Sequence, residues 1–192
     1  MSEPAQGLAT VVDLPSVDVD LVLRAQRGEV DARRALFVRY APELAALLRR
    51  IVGRGCEVED AVQQAFLVAF ERLPTLDSAH AFRPWLYTLA IRAARRRVWT
   101  QRLREVALPA SDRAPLWSAE DLAPALDADE RAQLVLLGLR LARLPLPLRQ
   151  AWVLRYQFDC TLPETAEACG CSLATAKRRI EEARRRLEVS EP

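Results

Sequence analysis

Residues 161–187 read TLPETAEACGCSLATAKRRIEEARRRL, and within them residues 162–181 fit a helix-turn-helix. Ala166 is small, as a close helix crossing requires, and Gly170 follows four residues later, where the turn needs a positive φ. Ser172 then stands as the N-cap of a second helix. In that helix Leu173, Ala176, Ile180, Ala183 and Leu187 share one stripe, expected to be buried. Ala174, Arg178, Glu181, Glu182 and Arg185 point broadly away, with Thr175 and Lys177 at the margins. Such a helix presents polar N-terminal residues to base edges in the major groove. A helical hairpin with a glycine turn and no DNA has the same spacing; the small residue, glycine, N-cap and basic second helix together favour DNA.

Working outward, helical spacing runs back to about Asp129, with helices expected near 129–143, 147–157, 162–169 and 173–187. The stretch Leu144-Pro145-Leu146-Pro147 separates the first two. Between Val106 and Asp127, Pro109, Pro115 and Pro124 stand among Ala, Ser and Asp, which reads as a linker. Upstream, helices are expected near 20–28, 31–52, 57–72 and 84–103, broken at Gly28, at Gly53–Gly55 and over Pro74–His80. Pro42 allows a break or kink in the second of these, and Pro84 suits a first helical turn. No alternating apolar run is long enough for a sheet. The expected class is all-α: a tail over 1–19, a helical module over 20–104, a linker over 105–128 and a second module over 129–188.

Charge follows the same division. The net charge of +2 over 192 residues hides blocks. Residues 92–104 carry six Arg and no acid, residues 105–130 seven acids and one Arg, and residues 131–192 eleven bases against seven acids. Basic blocks around an acidic spacer suit polyanion-binding modules, and ordinary solvated faces give the same counts.

Other classes are excluded by what is missing. No apolar run approaches the ~18 residues of a membrane span, so no membrane insertion is expected. No basic residue precedes Arg24, so no signal peptide is expected. The cysteines Cys56, Cys160, Cys169 and Cys171 are then expected as reduced thiols, and the chain as cytoplasmic. His80 is the one histidine, and the Cys169-x-Cys171 spacing suits zinc poorly. With no nucleophile–base–acid set and no phosphate loop, neither enzyme activity, metal nor cofactor is expected.

Two helices of the first module carry further signals. In 57–72, Val58, Val62, Ala65, Phe66 and Ala69, with Leu73 just beyond, make a core face. Asp60, Gln64, Leu67 and Glu71 gather opposite, with Gln63 nearby; an exposed Leu among acids and amides fits a docking surface, and a plain solvated face fits too. In 84–103, Leu86, Leu89, Ala90 and Ala93 form an apolar stripe, and Trp85, Arg92, Arg96 and Trp99 form a sector beside it, with Arg95 at its edge. Interleaved Arg and aromatic residues suit single-stranded nucleic acid, the Arg for phosphates and the rings for unpaired bases. Core packing is the competing role, especially for Trp85, whereas the acid-free run Arg95-Arg96-Arg97 suits phosphate.

These features, in this order, resemble bacterial RNA polymerase sigma factors of the sigma-70 family, extracytoplasmic-function group. Glu59-Asp60-Ala61-Val62-Gln63-Gln64-Ala65-Phe66 is similar to the family's E-D-x-V-Q-x-x-F helix. Phe82-Arg83-Pro84-Trp85-Leu86-Tyr87-Thr88-Leu89-Ala90 is similar to its F-x-x-W-L-Y-x-I-A segment. Leu144-Pro145, Arg149, and the stretch from Thr161 to Leu187 resemble its region four, where Ser172 through Ile180 stands against S-V-G-T-V-K-S-R-L.

The resemblance implies two modules, region two and region four, and a non-enzymatic role in promoter recognition. It implies core RNA polymerase as a partner through the β′ clamp and the β flap, with Asp60, Gln63, Gln64 and Leu67 as clamp contacts. It implies promoter DNA both single-stranded and duplex. Trp85, Arg92, Arg95, Arg96, Arg97 and Trp99 would lie at the −10 strand. Ser172, Ala174, Thr175, Lys177, Arg178, Arg179, Glu181 and Glu182 would lie at the −35 duplex. An anti-sigma factor is a further implied partner. Three positions depart from the pattern: Arg92 where Asn is usual, Ala176 for Val, and Glu181 and Glu182 where Phe, His or Arg often follow. A Glu there either accepts a hydrogen bond from cytosine N4 or lies off the bases. A helix-turn-helix regulator that does not engage polymerase is the alternative.

Overall fold

A computed structural model describes residues 18–53, 57–102 and 127–188. Eight α-helices and two short 3-10 turns make up the described residues: α1 (Val19–Gln26), α2 (Val30–Val52), α3 (Glu57–Arg72), α4 (Phe82–Arg102), α5 (Ala128–Arg143), α6 (Leu146–Tyr156), α7 (Leu162–Cys169) and α8 (Leu173–Glu188). The 3-10 turns, Leu73–Thr75 and Ala79–Ala81, fill the stretch between α3 and α4. Most of the expected linker, residues 103–126, and residues 1–17 of the expected tail lie outside the described residues, whereas Asp18 and Val19 at the end of that tail cap and begin α1.

Local chemistry explains the helix ends. The Asp18 carboxylate accepts from Leu21 N at 3.0 Å and starts α1. Asp127 with Glu130 and Thr161 with Glu164 form reciprocal capping boxes at α5 and α7. The α4 helix begins at Phe82, two residues before the expected Pro84, because the Ala79–Ala81 turn runs straight into it. At Pro42 the expected break does not occur, and α2 is continuous. The missing N–H would have bonded the Val38 carbonyl; both residues are exposed, a setting in which solvent can satisfy a carbonyl.

Gly170 caps α7 in the left-handed region, with φ 61°. A Cβ built there would meet Arg95 Nη1 at 3.7 Å, an ordinary contact, so a substitution meets backbone strain without a clash. Gly170→Ala is expected to lower folding stability by about 1–2 kcal/mol, read from the urea midpoint. A shift under a few tenths would mean that the turn relaxes.

Helices α1–α4 form one cluster and α5–α8 a second, and the two share a core. Leu36, Tyr40, Leu47, Phe66, Phe82 and Leu86 of the first cluster are continuous with Val153, Leu154, Phe158 and Ile180 of the second. A smaller core of Leu134, Leu141, Ala142, Leu144 and Ala183 ties α5 to α8. The α4 helix lies against α7, and α2 against α6. At this junction the Phe158 ring meets Tyr87 edge-on at 5.6 Å, and the Arg50 guanidinium lies 5.6 Å over the same ring. Burial lowers the Arg50 pKa to about 10. Beneath, Arg83 donates to Glu43 at 2.8 Å and to the Tyr87 hydroxyl at 2.7 Å, and that hydroxyl in turn donates to Glu43. Burial pushes the Glu43 carboxyl above its ordinary value, against the pull of Arg83.

The docking corrects two expectations. The apolar stripe on α4 becomes a segment buried on every side: all six residues from Leu86 to Ile91 are buried, because α3 covers one side and α7 another, whereas Ala93 is only partly buried. Leu173 is 50% exposed rather than part of the buried stripe on α8, since it opens the first turn ahead of the contact made by Ala176, Ile180 and Ala183. The cytoplasmic placement is also corrected, to a narrower statement. Among the described residues no helix is long and apolar enough to cross a membrane.

Cys160, Cys169 and Cys171 are free thiols, and Cys56 lies outside the described residues. Burial pushes the Cys160 thiol up to about 12 and the Cys169 thiol to about 11, so neither supplies thiolate at neutral pH. Among the described residues no group of three or more His, Cys, Asp and Glu could hold a metal ion.

Candidate polymerase and nucleic-acid surfaces

The α3 helix separates two kinds of residue cleanly. Val58, Ala61, Val62, Ala65, Phe66 and Ala69 are buried, whereas Asp60, Gln63, Gln64 and Leu67 are all exposed. Leu67 is 66% exposed, a large apolar group in water among polar neighbours. Phe37 of α2, itself partly exposed, packs its ring 4.9 Å from that of Phe66 on the buried side of α3. Sequence reasoning missed Phe37, because α2 shows no polar–apolar motif around it; its exposure beside Val38 is the signal.

On α4, Trp85 and Arg92 are seven residues apart and so share a side. Trp85 is half-buried against the core with its ring 6.2 Å from Phe82, and Arg92 is exposed. Arg95 is turned elsewhere: its Nη2 donates to Gln150 Oε1 at 2.7 Å and to the Cys169 carbonyl at 3.1 Å, tying α4 to the helix-turn-helix. The side chains of Arg96, Arg97 and Trp99 lie outside the described residues.

On α8, Ser172 accepts from Thr175 N at 3.2 Å and its hydroxyl lies 2.9 Å from that of Thr175, which fixes the first turn. Ser172, Ala174, Lys177, Arg178 and Glu181 are exposed, and Thr175, Arg179 and Glu182 are half-buried. The Arg179 Nη1 is buried with no hydrogen-bond partner among the described residues. Glu182 accepts from Arg185 and, at 2.7 Å, from Arg186 Nε. The hydrogen bond from Arg186, with the charges of Arg185 and Arg186, holds its carboxyl below the usual range. A groove of about 460 Å³ runs beside the helix, with Pro145, Pro147 and Leu148 on one wall and Arg178, Arg185 and Arg186 on the other. The arrangement offers an exposed basic helix with a capped N-terminus, the shape that enters a major groove.

Comparison with known proteins places both clusters. The Sigma-70 region 2 family model matches residues 36–104, and the Sigma-70, region 4 model matches residues 134–187. The RNA polymerase sigma factor NccH of Alcaligenes xylosoxydans xylosoxydans is 30% identical over 174 residues, 90% of this chain and 94% of that one. The ECF RNA polymerase sigma-E factor of Escherichia coli K12 is 31% identical over 181 residues, 89% of this chain and 92% of that one. CnrH, solved in complex with the cytosolic domain of CnrY, superposes with a TM-score of 0.62 at 25% identity, over 90% of this chain and 96% of that one. The sigma factor RpoE from Bartonella quintana, solved with the anti-sigma factor NepR, gives a TM-score of 0.62 at 20% identity, over 82% of this chain and 98% of that one, and shares the fold. Both helical clusters, in order and over nine-tenths of the chain, thus have counterparts in single relatives, and the chain belongs to the extracytoplasmic-function group of sigma-70 family sigma factors, the non-enzymatic subunits that direct RNA polymerase holoenzyme to promoters.

Proposed function

We propose a division of labour in which residues 20–104 bind core polymerase and the −10 strand, residues 129–188 bind the −35 duplex, and 105–128 links them. The clamp helices of β′ dock on Asp60, Gln63, Gln64 and Leu67, and the β flap meets the second cluster. Trp85, Arg92, Arg96, Arg97 and Trp99 lie along the unpaired −10 strand, joined by Arg95 once opening of the shared core frees it from Gln150 and the Cys169 carbonyl. Ser172, Ala174, Thr175, Lys177, Arg178, Arg179, Glu181 and Glu182 lie at the −35 element, Thr175 and Arg179 as supports of the face that the exposed residues form. The single observation that carries the scheme is the face of α3, where an exposed Leu67 sits among Asp60, Gln63 and Gln64 opposite a fully buried side. The solved complex of CnrH with the cytosolic domain of CnrY supports a further protein partner, which we take to be an anti-sigma factor, as NepR is for the Bartonella quintana RpoE.

Contact with both promoter elements at once requires the shared core to open. Elements centred about 25 base pairs apart are ~85 Å apart on straight duplex. Two clusters packed on one core do not span that, since a chain of this size has a radius of gyration near 16 Å. Residues 103–126 supply enough chain, about 80 Å when fully extended.

Holoenzyme reconstitution with core polymerase, followed by titration of a −35 duplex, tests the division. Arg178→Ala is expected to weaken duplex binding by about five-fold or more, to lower the salt slope by about one and to leave core binding unchanged. Equal loss of core binding and duplex binding would contradict it.

A further inference from the structure

Glu181 and Glu182 are neighbours in the chain, and the fold treats them differently. Glu182 is half-buried and occupied by Arg185 and Arg186 of its own helix. Glu181 is exposed and makes no hydrogen bond or ion pair among the described residues. Ala174, Lys177, Arg178 and Glu181 stand at i, i+3, i+4 and i+7 and share one side of α8, opposite the buried Ala176, Ile180 and Ala183. All four are exposed, and the ends of Lys177 and Arg178 are as unengaged as Glu181. From Ala174 to Glu181 the helix rises ~10 Å, about three base-pair steps. The fold therefore leaves one acid, beside two cations that make no ion pair among the described residues, on the exposed side of α8.

A carboxylate accepts hydrogen bonds and donates none. In the major groove guanine shows two acceptors, thymine one acceptor and a methyl group, and adenine an acceptor beside its donor. Cytosine alone shows only a donor, its N4 amino group. A carboxylate on this side is therefore matched by cytosine and repelled by guanine and thymine. Lys177 and Arg178 beside it offset its repulsion from the phosphates. Glu182, already bonded to two guanidinium groups, has no such freedom.

We propose that Glu181 is the base-reading acid of α8 and gives this sigma factor a preference for cytosine at one position of its −35 duplex. The proposal rests on the assignment of α8 to that duplex.

Selection of randomised −35 duplexes by holoenzyme carrying the full chain tests it, with wild type, Glu181→Gln and Glu182→Gln run side by side. Wild type is expected to enrich cytosine at one position, by about five-fold over the other bases. Glu181→Gln is expected to lose that preference and to shift toward adenine, whose N6 and N7 a glutamine amide matches. Glu182→Gln is expected to keep it. The same base preferences for wild type and Glu181→Gln, or a change confined to Glu182→Gln, would overturn the proposal. Wild-type holoenzyme that enriches no −35 sequence would overturn the assignment of α8 beneath it, an outcome visible before any variant is compared.

Discussion

Phe158→Ala is expected to lower folding stability by about 3–5 kcal/mol, the range for removing a buried aromatic ring. Phe158 is 1% exposed, and its burial comes from the other cluster: Tyr87 meets it edge-on and Arg50 lies over its face. Truncation removes the transfer free energy of the ring and leaves a cavity at the junction, beside the buried Glu43–Arg83 pair. Urea unfolding followed by far-UV circular dichroism reads the effect as a lower midpoint. The size of the loss also reports on docking. Were the clusters independent, Phe158 would be partly exposed in the unmutated chain and its truncation would cost about 1 kcal/mol or less. A shift that small would contradict the shared core.

Much of this fold is legible from local periodicity and punctuation. The α3 and α7 helices run over the residues that apolar spacing, Pro and Gly mark out, and Gly170 and Ser172 take up the turn and cap that their chemistry favours. Docking of the two clusters is not legible in the same way. Arg95 and Gln150 are 55 residues apart, and Arg95 and Cys169 are 74 apart, so no local period records those bonds. That docking buries α4 from Leu86 to Ile91 on all sides, which a stripe on one helix does not foretell.

The same limit applies at the candidate surfaces. The sequence shows a row of Arg, but only packing distinguishes Arg178, exposed at the surface, from Arg179, half-buried with its Nη1 out of solvent. Only the bonds of Glu182 to Arg185 and Arg186 separate it from Glu181. The face of α3, by contrast, is set by a single helix, and there Asp60, Gln63, Gln64 and Leu67 emerge together as the 3.6-residue period requires.

The second large effect is expected at that face. Asp60→Ala with Leu67→Ala removes an exposed charge, with the surface interaction it makes, and an exposed apolar anchor without touching the buried side of the helix, so stability should change by about 1 kcal/mol or less. If both residues are interface hot spots, their joint loss weakens core binding by about 3 kcal/mol, roughly a hundred-fold. Duplex recognition by α8 lies on the other cluster and should be unaffected.

Binding of the purified chain to core RNA polymerase, wild type beside the Asp60→Ala/Leu67→Ala double variant, tests the proposed division of labour most directly. The account predicts tight wild-type binding and a loss of about a hundred-fold in a variant that remains folded. Equal binding by both chains would contradict the assignment of the α3 face, and no binding by the folded wild type would contradict the polymerase partnership itself.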